Sequence, residues 1–258
     1  MSLSRLIFPA LLATALVTPA MSAGPENNFS PAQRSEIESI VKSYLIAHPE
    51  VLEEVITELS NRQDADAAKK HEANVSEKAD AIFKSPHDVV LGNKDGDVTL
   101  VEFFDYNCGF CKRAMRDMLG LLDSDPKLRV VLKEFPVLGD DSVEAAQVAV
   151  AIHMQDPSGK KYLEFHKNLL GGTGHGRADK ARALAAAKDA GLDVARLEKD
   201  MESHEVMTTL SDTNKLGQTL GINGTPSYVI GKGVVSGAVG IEELKGKISM
   251  ARCGKESC

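Results

Sequence analysis

One stretch constrains the fold of this chain more than any other: it runs from Val98 to Arg116 and reads V-T-L-V-E-F-F-D-Y-N-C-G-F-C-K-R-A-M-R. It opens with an apolar, β-branched and aromatic run, Thr99 to Phe104, of the length of a buried strand. Its second half has helical character, and Asn107 is a favoured residue type for a helix N-cap. The stretch therefore predicts a strand, a turn and a helix, with Cys108 and Cys111 in the first helical turn.

The spacing of these two cysteines favours redox chemistry. Residues i and i+3 share one face of a helix, so the two sulfur atoms can meet. The free N–H groups and the dipole of a helix start favour negative charge on Cys108, and a thiolate is the nucleophile of thiol–disulfide exchange. Three cations add positive charge nearby: Lys112, Arg113 and Arg116. We expect Cys108 to attack and Cys111 to resolve the mixed disulfide.

Two other interpretations of the pair remain open at this point, a structural disulfide and half of a zinc site. A structural zinc site usually has four ligands, and no other His or Cys lies near the pair in the sequence. We therefore predict no metal at Cys108 and Cys111.

The first residues are typical of a secretory signal. Arg5 supplies a positive charge, Leu6 to Val17 is an apolar run too short to span a bilayer, and small residues follow. We predict a signal peptide over residues 1–23, cleaved near Ala20 to Ala23, and a periplasmic protein with no membrane insertion. A buried N-terminal helix is the alternative. The formal net charge of −7 argues against a nucleic-acid partner.

A second cysteine pair, Cys253 and Cys258, ends the chain. Disulfides persist in exported proteins, and Gly254 can reverse the chain after a last helix that stops near Cys253. We predict a structural disulfide here. An accessory redox pair and a metal site are the alternatives.

Two short amphipathic helices are predicted within residues 30–60, where Ser30 and Pro31 suit an N-cap and N1 position. Their apolar stripe comprises Ile37, Ile40, Val41, Tyr44, Leu45, Val51, Leu52, Val55, Ile56 and Leu59. The polar stretch from Ser60 to Ala81 is predicted to be a solvated helix or a semi-flexible linker. The two helices could fold back on their own domain, but we expect them to pair with copies of themselves in an oligomer.

The domain organisation follows from these elements. Residues 24–84 form an N-terminal helical oligomerisation segment with its linker, and residues 85–258 form the main domain. A helical insertion occupies about residues 139–217. The glycine-rich residues 171–176 lie within it and lack the preceding strand and the following Gly-Lys-Ser/Thr of a phosphate loop, which favours a loop between helices.

The order of elements resembles the thioredoxin fold of the DsbA family. Four segments carry the resemblance: V-E-F-F-D-Y-N-C-G-F-C-K-R, K-E-F-P-V-L-G-D-D-S-V-E-A-A, G-I-N-G-T-P-S-Y-V-I-G and I-V-K-S-Y-L-I-A-H-P-E-V-L. The last is typical of the branch that includes the suppressor-of-copper-sensitivity protein ScsC. The resemblance implies an α/β thioredoxin fold with an inserted helical domain, preceded by the N-terminal helical oligomerisation segment.

The resemblance also implies roles for individual residues. Pro226 would be a cis-proline facing the cysteine pair, and Thr225 would offer its backbone to an extended substrate. Glu102 lies where thioredoxin-like proteins carry a buried acid. As a single Glu in an apolar strand it is expected to be desolvated, with a raised pKa, and able to accept the proton of the resolving thiol. The alternative is an edge-strand Glu that reaches solvent.

The residues between the cysteines depart from the oxidase pattern of the family. Gly109 and Phe110 are closer to the Gly-Tyr of DsbC-type isomerases than to the Pro-His of DsbA-type oxidases, and Thr225 before the proline is also isomerase-like. We expect a cofactor-free thiol–disulfide isomerase that acts on misbonded exported proteins. The family implies a membrane thiol reductase as partner and favours a trimer through residues 30–60. The alternatives are a monomeric DsbA-like dithiol oxidase and a periplasmic copper-binding protein, since thiolates are soft ligands for Cu(I).

Overall fold

The computed structural model describes residues 29–172 and 176–258. The predicted signal peptide over residues 1–23 and its cleavage site near Ala20 to Ala23 lie outside the described residues, as does the middle of the glycine-rich stretch at residues 173–175. The chain divides into two units, of which the first ends at Leu59 and the second is Ser60–Cys258.

The first unit contains α1 (Pro31–Ala47) and the beginning of α2 (Glu50–Glu77). Helix α1 starts as the sequence predicts, because the Ser30 side chain accepts a hydrogen bond from the Gln33 N–H, while the Gln33 side chain accepts one from the Ser30 N–H. No residue of α1 is buried, and most of the predicted apolar stripe is exposed.

The second unit is built on a five-stranded sheet with the strand order β1-β3-β2-β4-β5. Its strands are β1 (Val89–Gly92), β2 (Val98–Phe104), β3 (Leu128–Glu134), β4 (Ser227–Ile230) and β5 (Gly233–Ser236). Strands β2 and β3 are parallel, whereas all other pairs are antiparallel. The parallel pair is connected through α4 (Gly109–Ser124), as a parallel connection requires a crossover.

The remaining helices of this unit are α3 (Ala79–Phe83), α5 (Asp140–Gln155), α6 (Lys160–Gly171), α7 (Lys180–Asp189), α8 (Val194–Asp200), α9 (His204–Thr219) and α10 (Ile241–Cys253). Helices α5 to α9 lie between β3 and β4 in the chain and form the helical insertion that the sequence predicts. This arrangement is a thioredoxin fold with an inserted helical domain.

Alternation along β2 places its side chains on two different faces of the sheet. Leu100 and Phe104 belong to the larger core cluster with α4, α10 and the insertion, whereas Val101 and Phe103 belong to a smaller cluster on the other face. Glu102 therefore points to the same face as Leu100 and Phe104, which is the face that α4 covers.

The polar stretch after Leu59 is helical up to Glu77, which is the first of the two predicted alternatives. The end of this helix contributes to the core of the second unit, because Val75 is 2% exposed and belongs to the smaller core cluster together with Ile82. Asn74 anchors the same turn by donating a hydrogen bond to the carbonyl of Thr219 at 2.6 Å. Among the described residues, no helix is both long and apolar enough to cross a membrane.

Candidate active site

The two cysteines lie where β2 passes into α4, at the end of the central strands. Cys108 is the N-cap of α4 and Cys111 lies in its first turn. The sequence-based choice of Asn107 as N-cap is wrong, because its side chain is used elsewhere. The Asn107 amide accepts a hydrogen bond from the Ala178 N–H at 2.7 Å and donates to Ser142 at 2.9 Å. Asn107 thus fastens the cysteine loop to the helical insertion.

Asp105 organises the loops around the cysteine pair. Its carboxylate accepts hydrogen bonds from the Asn107 N–H at 2.7 Å, the Ser142 hydroxyl at 2.8 Å and the N–H groups of Val137 and Leu138 at 2.8 and 3.0 Å. Its backbone carbonyl accepts the Cys108 N–H at 3.1 Å. One buried carboxylate therefore fixes three segments that surround the cysteines, a role that sequence reasoning did not assign.

Cys108 faces the segment that precedes β4. Its sulfur atom lies 3.1 Å from the carbonyl oxygen of Thr225, to which the thiol donates a hydrogen bond. The Thr225–Pro226 peptide bond is cis. The structure thus brings Cys108 next to Thr225, which follows it by 117 residues and directly precedes Pro226.

Cys111 and Cys108 differ in their access to solvent. Both are free thiols in this structure, but Cys108 retains 7% exposure while Cys111 has none. Burial raises the pKa of the Cys111 thiol, and the nearby charge of Glu102 raises it further. Cys111 therefore requires a proton acceptor before it can act as a nucleophile.

Glu102 is buried on the face of the sheet that α4 covers, and its charge acts on Cys111. It is 3% exposed, and its Oε2 atom has no hydrogen-bond partner among the residues that the structure describes. Burial raises the pKa of Glu102 to about 8, with a smaller contribution from the charge of Asp117. The structure thus gives the buried acid that the sequence predicts, and excludes an edge-strand Glu that reaches solvent.

Tyr228 is a neighbour of Glu102 that sequence reasoning did not single out. The two residues are cross-strand partners of β2 and β4, so their side chains lie on the same face of the sheet. Burial raises the pKa of Tyr228, as do the charges of Glu102 and Cys111. Within the described part of the chain, the Tyr228 hydroxyl has no hydrogen-bond partner. Only the pairing of β2 with β4, which the sequence does not reveal, identifies Tyr228 as part of this site.

A buried polar cluster connects the cysteine loop to the insertion. The Tyr162 hydroxyl donates a hydrogen bond to the Glu134 carboxyl group. The Tyr106 hydroxyl lies 3.2 Å from Oε1 of Glu134 and 3.2 Å from the Tyr162 hydroxyl. His166 stacks on Tyr162, and burial lowers the pKa of His166 to about 3, which keeps it neutral. Burial raises the pKa of Glu134 well above its usual range. The cluster connects Tyr106, two residues before Cys108, to β3 through Glu134 and to α6 through Tyr162.

The C-terminal cysteines are joined by a disulfide bond between Cys253 and Cys258, and both residues are exposed. Gly254 adopts a left-handed conformation with φ of 74°, as the sequence predicts. The neighbouring Arg252 makes ion pairs with Asp97 at 2.7 Å and Asp125 at 2.8 Å. Asp97 precedes β2 and Asp125 follows α4, so the disulfide lies at the opposite end of both elements from Cys108.

Within residues 29–172 and 176–258, no three His, Cys, Asp or Glu side chains are arranged to hold a metal ion.

Comparison with known proteins identifies the family. The DSBA-like thioredoxin domain matches residues 99–249, which is more than half of the chain. The chain belongs to this family. The N-terminal domain of the copper resistance protein ScsC matches residues 33–66, so the protein is of the ScsC-like branch.

Individual relatives agree with this assignment to the DSBA-like family. A thioredoxin-like oxidoreductase from Silicibacter pomeroyi is 43% identical, covers 67% of this chain and 96% of its own, and has a TM-score of 0.63. ScsC from Proteus mirabilis in a transitional conformation is 28% identical over 88% of this chain and 98% of its own, with a TM-score of 0.63.

A curated relative comes from Bacillus cereus. Its probable disulfide bond formation protein D is 28% identical over 161 residues, which are 60% of this chain and 74% of that protein. Together with the paired thiols in the first turn of α4, the family identifies the protein as a thiol–disulfide oxidoreductase of the DsbA and ScsC type.

Proposed function

We propose that the protein is a periplasmic disulfide isomerase that rearranges wrong disulfides in exported proteins and acts as a homo-oligomer, most simply a trimer. The observation that carries the proposal is the exposed apolar stripe of the first unit. Ile40, Val41 and Tyr44 of α1 are 61%, 50% and 53% exposed, and Val55 and Ile56 of α2 are 58% and 66% exposed.

An apolar surface of this kind is unfavourable in water unless it is covered. Since α1 buries no residue of its own, a second copy of the same helices is a natural cover, and a symmetric oligomer repeats the contact in every subunit. The match to the ScsC N-terminal domain over residues 33–66 spans the whole of this stripe and supports the same surface.

Several cysteine pairs in one oligomer suit isomerisation better than oxidation. Oxidation of a client is complete after a single exchange. Isomerisation needs a reduced thiol held beside a loosely folded client through repeated attack, and tethered sites raise the effective thiol concentration. Gly109 and Phe110 between the cysteines and Thr225 before the cis-proline agree with an isomerase by family resemblance.

The chemical roles follow from the solvent access of the two sulfurs. The Cys108 thiolate attacks one sulfur of a wrong client disulfide, so that a Cys108–client bond forms and the other client sulfur leaves as a thiolate. Thr225 offers its backbone to the extended client segment beside Cys108. The freed client thiolate then attacks a different client disulfide, which releases another client thiolate. This second thiolate attacks the client sulfur bound to Cys108, so that a client disulfide with a new pairing forms and Cys108 leaves as a thiolate in the reduced enzyme.

Cys111 resolves mixed disulfides that fail to rearrange. Glu102 accepts the Cys111 proton, the Cys111 thiolate attacks the Cys108 sulfur, and the client sulfur leaves with two electrons as a thiolate, which takes up a proton from water. The enzyme is left with a Cys108–Cys111 disulfide. A membrane thiol reductase that supplies two electrons and two protons is then required to restore the reduced pair.

The proposal is tested by refolding of scrambled ribonuclease together with light scattering of the mature protein. Ile40→Asp combined with Val55→Asp places charges within the stripe and should yield monomers with little isomerase activity. Ser39→Asp combined with Thr57→Asp adds the same charge to exposed positions outside the stripe and should change neither. Isomerase activity in a monomeric protein would contradict the proposed mechanism. Tight Cu(I) binding without turnover of scrambled ribonuclease would support the copper-binding alternative instead.

A further inference from the structure

The surface beside Cys108 carries an unusual concentration of positive charge for a chain with a net charge of −7. A cavity of about 550 Å³ adjoins the first turns of α4, and its charged lining residues are Lys112, Arg113 and Arg116. A second cavity of about 220 Å³ includes Cys108 itself and is lined by Lys112, Arg177 and Arg182. Among the described residues, no Asp or Glu lines either cavity.

The cations differ in what they already bind. Arg177 makes an ion pair with Asp141, and Arg182 donates to backbone carbonyl groups. Lys112 donates to the Gly172 carbonyl at 3.0 Å. Within the described residues, ion pairs of arginine with a carboxylate involve Arg177, Arg196 and Arg252, and neither Arg113 nor Arg116. These two guanidinium groups are therefore available to an incoming ligand.

An exposed apolar side chain lies beside them. Phe110 is 59% exposed, and the guanidinium carbon of Arg113 lies 5.0 Å from its ring centre. A cation held over an aromatic ring in this way presents its outer N–H groups to solvent. The surface thus offers planar donors, which match carboxylates, next to an apolar ring that can pack against a peptide chain.

We propose that Arg113 and Arg116 select client segments in which acidic residues lie close to the reacting cysteine. The inference rests on the proposed function, because it names a property of its clients. Arg113 and Arg116 lie five and eight positions after Cys108, or about 8 and 12 Å along the helix axis. An extended client chain advances about 3.3 Å per residue, so carboxylates two to four residues from the client cysteine reach them.

The test measures the rate at which the reduced protein opens short peptide disulfides of one sequence. Three Glu residues are placed either two to four positions before or two to four positions after the peptide cysteine, and Gln replaces them in the matched neutral peptides. The readout is the ratio of the Glu rate to the Gln rate. This ratio cancels any change in the intrinsic reactivity of Cys108.

In the unaltered protein we expect the Glu peptides to react about three to ten times faster than the Gln peptides in one of the two chain directions, which is the effect expected of one or two surface ion pairs. In about 0.5 M salt this ratio should fall towards one, because salt screens exposed charges. Arg113→Gln combined with Arg116→Gln should reduce the ratio to about one. Lys127→Gln combined with Lys247→Gln removes the same charge beyond the far end of α4 and should leave the ratio unchanged.

A ratio of one in the unaltered protein, or a ratio that the arginine substitutions do not change, would overturn the proposal. So would an arginine-dependent preference for oxidised glutathione with none for the Glu peptides, since it would indicate a site for small anionic disulfides. The peptides contain one disulfide and need no rearrangement, so the result is independent of whether the protein proves to be an isomerase.

Discussion

Cys108 and Cys111 have the same chemistry but different surroundings, and this difference predicts the outcome of replacing each. Cys108→Ser removes the more accessible sulfur, so thiol exchange should fall to background. Cys111→Ser removes the resolving thiol, so mixed disulfides with clients should accumulate and be visible as higher-mass species on non-reducing gels. If mass spectrometry of partially alkylated reduced protein finds Cys111 modified first, the two roles are reversed.

Glu102 predicts a specific dependence of stability on pH. Its pKa is about 8 in the folded protein and about 4.5 in the unfolded chain. Between these values the unfolded state loses a proton that the folded state keeps, so the free energy of unfolding falls as the pH rises from 4.5 to 8. The fall amounts to no more than about 5 kcal/mol and levels off above pH 8.

Glu102→Gln should remove this dependence, because the amide does not titrate. In urea unfolding of the reduced protein, the variant should match the unaltered protein near pH 4.5 and exceed it in stability near pH 8.5. The same variant should release mixed disulfides more slowly, since Cys111 loses its proton acceptor. Glu198→Gln, at an exposed position, is the control. Equal slopes of stability against pH in all three proteins would mean that Glu102 ionises normally.

At the residue scale, the sequence predicts groups whose type and local spacing carry the chemistry. Cys108 and Cys111 are recognisable from one helical turn, and Glu102 from its polarity in an apolar strand. Tyr228 and Asp105 are not, because their roles depend on strand pairing and on loops brought together from distant parts of the chain. The prediction that Asn107 caps α4 is wrong, because its side chain accepts a hydrogen bond from the Ala178 N–H and not from an N–H group of α4.

At the scale of elements, the C-terminal disulfide is separated from the redox pair by the length of α4. This helix has 16 residues and is about 24 Å long. Replacing Cys253 and Cys258 together by Ser should therefore leave the rate of insulin reduction nearly unchanged. The loop between the cysteines is short, so the loss of stability should not exceed about 2 kcal/mol in thermal unfolding. A large loss of turnover with unchanged folding would instead identify an accessory redox pair.

The ends of a helix are predictable where a capping residue next to them in the sequence sets the boundary. They are less predictable where the burial of side chains against distant elements sets it. Helix α1 begins at its capping box and α10 ends at Gly254, as predicted. Helix α9 begins at His204 within the predicted insertion, because Ser203 caps it and Val206 and Leu210 are buried. Apolar spacing alone does not show that this segment packs on other helices.

At the scale of the whole molecule, the order of elements and the cysteine motif predict the thioredoxin fold and its inserted helices through their resemblance to the DsbA family. The extent of the second unit was not predictable. Its boundary lies at Ser60, because the end of a polar helix places Val75 in the core with Val101, Phe103 and Ile222. One buried valine in a polar helix is a weak signal in the sequence, although it decides where a truncation can begin.

Removal of residues up to Leu59 should separate oligomerisation from thiol chemistry. The truncated protein keeps Val75 and the hydrogen bond from Asn74 to Thr219, whereas a truncation that begins at Ile82 loses both and exposes part of the core. We therefore expect the protein that begins at Ser60 to fold and to be a monomer by light scattering.

The truncated protein should open small peptide disulfides at about the rate of the full-length protein, because the Cys108 site is intact. Its isomerase activity on scrambled ribonuclease should fall at least about tenfold, because neighbouring sites no longer raise the effective thiol concentration. Its dithiol oxidase activity should be kept or increased. A full-length mature protein that is itself monomeric would remove the basis of the isomerase proposal and assign the chain to the DsbA-like oxidases.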